Sequence, residues 1–117
     1  MKTRNIFKFH KIKNGNEVSK TLAGKKISGR NFVVEQIVSN GAKSPEGFWY
    51  DQKYEEFVIV LKGRAKIGFY KKKSIALKAG DYLLIPKHVR HRIEYTSSKP
   101  KCVWLALHLG KRAKDKK

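Results

Sequence analysis

Between Gly80 and Tyr95 the chain reads GDYLLIPKHVRHRIEY, a stretch that fits antiparallel strands and little else. Gly80-Asp81 is a turn pair and Tyr82–Ile85 an unbroken apolar run of strand length. Pro86 stops it, because proline has no N–H to give to a ladder. From His91 the residues alternate, with His91, Ile93 and Tyr95 on one side and Arg90, Arg92 and Glu94 on the other. The charged set belongs to solvent. His91 is therefore expected to point inward, together with Ile93 and Tyr95.

The same rhythm recurs on both sides of this stretch. Asn31–Ser39, Glu56–Lys62 and Cys102–Leu109 are strong strands, rich in β-branched and aromatic residues. Phe48–Gln52, Ala65–Tyr70 and Ser74–Leu77 are shorter ones, and Ile6–Ile12 is a partly alternating edge strand guarded by lysines. Glu17–Ala23 reads as a short helical piece and Lys25–Arg30 as loop. About nine short strands, closely spaced turns and almost no helix predict an all-β domain, a sandwich or small barrel.

Composition enters through what it excludes. A chain of 117 residues can build one core and is too short for two. The domain is expected over residues 1–110, with a basic tail at 111–117 that has nothing to bury. No apolar run approaches the length of a membrane span, and the charged N-terminus lacks a following apolar segment. Neither membrane insertion nor a signal peptide is expected. The single cysteine, Cys102, sits on a strand beside Val103 and reads as a buried, inert thiol suited to a reducing cytoplasm.

The net charge of +19 raises the question of a polyanionic partner. Of the 28 basic residues only six are Arg, the residue usually wanted for bidentate phosphate or base contacts. The lysines are scattered through turns and solvent faces. Nucleic acid is therefore not expected as the main partner, and the charge is read as solubility with weak non-specific attraction.

With the strands placed, the residue spacing resembles the cupin superfamily. Gly80, Pro86 and His91 fall in register with the second cupin motif, with His88 in place of its second glycine and Tyr95 in place of its final asparagine. Glu56 and Gly63 match the end of the first motif. The resemblance covers residues 30–109 and implies a double-stranded β-helix, the jelly-roll barrel. The run Ser44–Gln52 is similar to that of a subgroup of small bacterial cupins.

Metal-binding cupins draw two histidines and a glutamate from the first motif and one histidine from the second. Here the resemblance carries over Glu56 and His91. The His-x-His places, taken about four residues ahead of the glutamate, hold Trp49 and Asp51, and tryptophan cannot coordinate. The implied metal set is Asp51, Glu56 and His91, suited to Fe, Mn, Zn or Ni. His108 joins it if the face it shares with Trp104 and Ala106 is the barrel interior. Trp49 and Tyr95 are the implied walls of a ligand pocket.

Each residue also has a plainer reading. Glu56 opens an apolar strand and can reach solvent or a lysine. Asp51 sits where turn capping is common. His91 can be a core histidine bonded to a neighbour such as Glu56. His88 reads as a rim residue and His10 as an exterior one. Two functions follow: a metal-dependent pocket acting on or sensing a small molecule, or a non-catalytic binding module with a degenerate metal site. The resemblance also implies a homodimer, paired through exposed sheet faces. The barrel hosts many chemistries, so no reaction follows from the fold.

Overall fold

The computed structural model describes residues 1–112 and contains eight strands. These are β1 (Glu17–Ile27), β2 (Arg30–Ser39), β3 (Glu55–Lys62), β4 (Arg64–Phe69), β5 (Lys72–Lys78), β6 (Tyr82–Ile85), β7 (His91–Thr96) and β8 (Cys102–Leu109). They form a five-stranded sheet in the order β1-β2-β8-β3-β6 and a three-stranded sheet in the order β5-β4-β7. Every pairing is antiparallel.

The most apolar strand takes the middle of the larger sheet. β8 lies between β2 and β3, and alternation turns Trp104, Ala106 and His108 to the interior. There Trp104 and Ala106 pack with Val58, Val60, Ile67 and Ile85. Each large apolar side chain buried this way contributes about 1.5–3 kcal/mol.

Three local expectations change. The helical piece and loop expected at Glu17–Ala23 and Lys25–Arg30 are one edge strand, β1, paired with β2 from Glu17↔Ser39 to Ile27↔Arg30. Ten of its eleven residues are exposed, so no apolar period marks it in the sequence; backbone pairing holds it, with one side-chain bond from Ser39 Oγ to the Glu17 carboxylate. The edge strand expected at Ile6–Ile12 is irregular chain laid on the larger sheet. Gln36 Nε2 donates to the carbonyls of Ile6 (2.6 Å) and Lys8 (3.2 Å), and Ile12 packs on Val38 and Val103. The segment Phe48–Gln52 is a loop pinned to β7 by one bridge, in which Tyr50 and His91 exchange N–H···O bonds of 2.7 and 3.1 Å.

β7 carries the change that matters most for the site. Its alternation holds through His91 and Ile93, which pair with Phe69 and Ile67, and then slips. Lys66 pairs with Tyr95, so Glu94 is an extra residue with no partner of its own. Such a bulge reverses the faces of everything after it. Tyr95 therefore faces outward at 51% exposure, and Thr96 is buried. Gly68 stands opposite, where the Glu94 side chain leaves no room for a Cβ.

The turn glycine Gly63, between β3 and β4, has φ of 83°. A Cβ there would lie 2.8 Å from the Lys101 carbonyl oxygen and 2.9 Å from Cys102 Cα. Lys111, first residue of the expected tail, is buried at 4% exposure. From residue 113 onward that tail lies outside the described residues.

Candidate functional site

Strands from both sheets send side chains into one cavity of about 30 Å³, room for about two water molecules. Its apolar lining includes Ile37, Val58, Ile67, Ile85, Ile93 and Trp104, and its polar lining includes Glu17, Tyr50, Gln52, Glu56 and His91. Glu56 enters because it shares the inward face of β3 with Val58 and Val60. It pairs directly across the sheet with Ile85 on one side and His108 on the other. His91 enters from the start of β7, 4% exposed, with Tyr50 stacked on its ring at 5.4 Å. Its Nδ1 lies 2.9 Å from the carbonyl oxygen of Val89. A carbonyl only accepts, so Nδ1 carries the proton and Nε2 is the nitrogen left for a guest.

Behind Glu56 lies a second set of ionisable groups, inside the protein. His108 is 0% exposed, and its Nε2 is in close polar contact with Glu35 Oε1. Its Nδ1 is 3.9 Å from Glu56 Oε1. Lys111 Nζ approaches Glu35 Oε1 at 3.7 Å, and the Tyr54 ring meets the imidazole edge-on at 5.5 Å. Cross-strand register makes the cluster: Glu35 pairs with Ala106 on β8, diagonal to His108, while Glu56 stands directly opposite His108. Two carboxylates thus face one lysine and one imidazole. Buried charges persist only when they are paired in this way.

The expected site residues fall into two groups. Glu56 and His91 share the cavity, and His108 touches it only through Glu56. Asp51 is half-exposed and accepts a 2.8 Å hydrogen bond from His88 Nδ1. His88 holds a left-handed φ of 63°, which explains why the cupin motif has glycine there. Trp49 meets the Tyr70 ring at 5.3 Å, and Tyr95 faces outward. Neither lines the cavity.

In the loop just ahead of Glu56 the residues that line it are Tyr50 and Gln52, one position on from Trp49 and Asp51. The motif spacing before the glutamate runs one residue shorter here. In extended chain, one residue exchanges the two faces. The available signal was the pairing of Tyr50, Gln52 and Glu56 at even separations.

A family model described as the cupin domain matches residues 34–108, more than half of the chain. The chain belongs to the cupin family. Its closed pair of sheets is the jelly roll of that family. One relative of this cupin is a 3-hydroxyanthranilate 3,4-dioxygenase of Burkholderia cenocepacia, 34% identical over 76 residues. That match covers 62% of this chain and 41% of the dioxygenase, so the chain spans less than half of that curated relative.

Among solved structures, a protein of Ralstonia eutropha JMP134, provisionally named a mannose-6-phosphate isomerase, superposes with a TM-score of 0.81 at 34% identity. The match covers 94% of this chain and 99% of that one. The polyketide cyclase RemF of Streptomyces resistomycificus matches with a TM-score of 0.70 over 97% of this chain and 82% of its own. At 17% identity it shows the shared fold alone.

Cupins commonly hold a metal, so the donor set matters. Among the described residues no three of His, Cys, Asp and Glu are arranged to hold an ion. Glu56 and His91 are two strong donors; the third acid of the lining, Glu17, accepts a 2.5 Å hydrogen bond from Ser39 Oγ, and the remaining polar positions carry the amide of Gln52 and the phenol of Tyr50. Asp51, which would complete the implied set, is engaged with His88 instead. The side chains present do not make the three-donor cupin site.

Proposed function

We propose that this cupin is a small-molecule-binding module whose cavity uses Glu56 and His91 as polar anchors, without a resident metal. One observation carries the reading: where the cupin motif places two metal-ligating imidazoles, the lining offers the phenol of Tyr50 and the amide of Gln52, beside Glu17, Glu56 and His91. Such a lining accepts and donates hydrogen bonds in fixed directions, while Ile37, Ile67, Ile85 and Trp104 hold an apolar part of the guest. The cavity admits a guest of a few non-hydrogen atoms in this conformation. Glu56 accepts from an N–H or O–H of the guest, and His91 Nε2 accepts a second.

A metal-dependent site is the second reading, favoured by the Nδ1 contact of His91 with Val89, which orients the ring as metal-bound imidazoles are oriented. Equilibrium dialysis against Mn, Fe, Ni and Zn, with elemental analysis, separates the two. The binding-module reading expects no stoichiometric metal. It also expects fragment binding in chelator that is lost in Glu56→Gln and His91→Ala. One metal per chain, lost in His91→Ala, establishes the second reading and ends the first.

On this reading a homodimer forms on the outer face of the larger sheet. There Leu84, Phe57 and Leu107 stand in one cross-strand row, and Tyr82 lies beside them at 66% exposure. An apolar row of this kind suits a second copy of the same surface.

A further inference from the structure

The outward face of the three-stranded sheet carries an open groove of about 920 Å³, separate from the barrel cavity. Arg64, Lys66, Ala76, Lys78, Tyr95 and Lys99 are among its lining residues. Strand register builds it. Tyr95 pairs with Lys66 and Lys66 with Ala76, so these three stand in one outward row. Arg64 and Lys78 pair in the next outward row along the strands. The small Ala76 leaves a floor, and the bulge at Glu94 is what turns the Tyr95 ring out to the wall.

The charge of the groove is one-sided. Lys78 is paired with Asp81 at 3.3 Å, and among the described residues no carboxylate forms an ion pair with Arg64, Lys66 or Lys99. Along β7 the same face continues to Arg92 and reaches Arg90, each set over an aromatic ring. Arg90 lies 3.6 Å from the Tyr70 centroid and Arg92 5.9 Å from that of Trp49. Glu94 stands between the two ends, its carboxylate engaged by Ser74 Oγ at 2.6 Å.

We propose that this face binds single-stranded nucleic acid, with phosphates on Arg64, Lys66 and Lys99 and a base stacked on Tyr95. The net charge of +19 attracts any polyanion. The groove adds a defined seat, because an unpaired base offers a face to an exposed aromatic ring whatever its sequence. A duplex keeps its bases from Tyr95, and a bilayer presents a flat surface to a concave wall. A single strand fits both the charge and the ring. This surface is independent of the cavity and of what the cavity binds.

The test is fluorescence anisotropy of a labelled oligothymidylate titrated with the full chain at low and moderate salt. Arg64→Glu/Lys66→Glu is expected to weaken binding at least about tenfold and to flatten the salt dependence. Lys20→Glu/Lys25→Glu, on the exposed β1 edge, changes net charge equally and is expected to cost much less. Tyr95→Ala is expected to lose at least about fivefold, with Tyr95→Phe restoring it. Circular dichroism confirms that each variant is folded. Equal losses from the two charge reversals overturn the proposal, as does a Tyr95→Ala protein that binds like the wild type. So does a duplex of the same length, or an anionic phosphatidylserine vesicle, that outcompetes the single strand.

Discussion

Replacing His108 with alanine removes the imidazole that stands between two buried carboxylates. The ring is 0% exposed, and the side chains of Glu35 and Glu56 are each 8% exposed, so water cannot take its place freely. Lys111 remains near Glu35, but Glu56 loses the imidazole that lies 3.9 Å from its Oε1. Breaking a buried pair by removing one partner costs about 3–5 kcal/mol. Against a net stability of about 5–15 kcal/mol, that is a large fraction of the total.

The cost is read from urea and thermal unfolding followed by far-UV circular dichroism, with an expected drop in Tm of about 15 °C. His108→Gln keeps an amide donor in the cluster and is expected to recover about half of the loss. A double-mutant cycle with Glu35→Gln is expected to give a coupling of about 1–3 kcal/mol. A loss below about 1 kcal/mol for His108→Ala, or strict additivity in the cycle, refutes the reasoning.

Gly63→Ala combines a positive φ with a Cβ placed within 3 Å of the Lys101 carbonyl and the Cys102 backbone, and should destabilise by about 2–4 kcal/mol in the same assay. Burial, with the Glu17 carboxylate adding to it, pushes the Cys102 thiol up to about 12. The fold therefore favours the neutral thiol, and the unfolded chain releases that proton first. This contribution is fully present below about pH 8.5 and is lost as pH rises towards the folded value. Cys102→Ala should fall less steeply with pH in that alkaline window, measured by urea midpoints. The wild type is expected to run as a dimer in size-exclusion chromatography with light scattering, and Leu84→Lys as a monomer.

Much of the fold is legible in the strands that pack. NFVVEQIVS, EFVIVLK and CVWLALHL announce β2, β3 and β8 because burial on the interior demands apolar residues there. β1 is illegible for the opposite reason: it is exposed along its length and exists because β2 offers an edge. Glu56 and His91 could be read from spacing. Tyr50 and Gln52 could not be separated from Trp49 and Asp51, since one residue of loop exchanges the faces. Tyr95 follows a bulge, and alternation carries no sign of it beyond the glycine at position 68. Glu35 did leave a signal, a lone acid within an apolar strand, which is costly unless paired. Its partners, His108 and Lys111, come from a segment more than seventy residues away, and only the register of β2 on β8 joins them.

The cavity reading is tested most directly by isoleucine methyl NMR, because the chain carries its own controls. Ile37, Ile67, Ile85 and Ile93 line the cavity, while Ile27 and Ile75 are exposed and Ile59 faces outward on β3. Titration with small amides, amines and imidazole in the presence of chelator should move the first four methyl signals in a saturable way and leave the other three in place. The same titration in Glu56→Gln should move none of them. Shifts confined to Ile27, Ile59 and Ile75, or cavity shifts that persist unchanged in Glu56→Gln, contradict it.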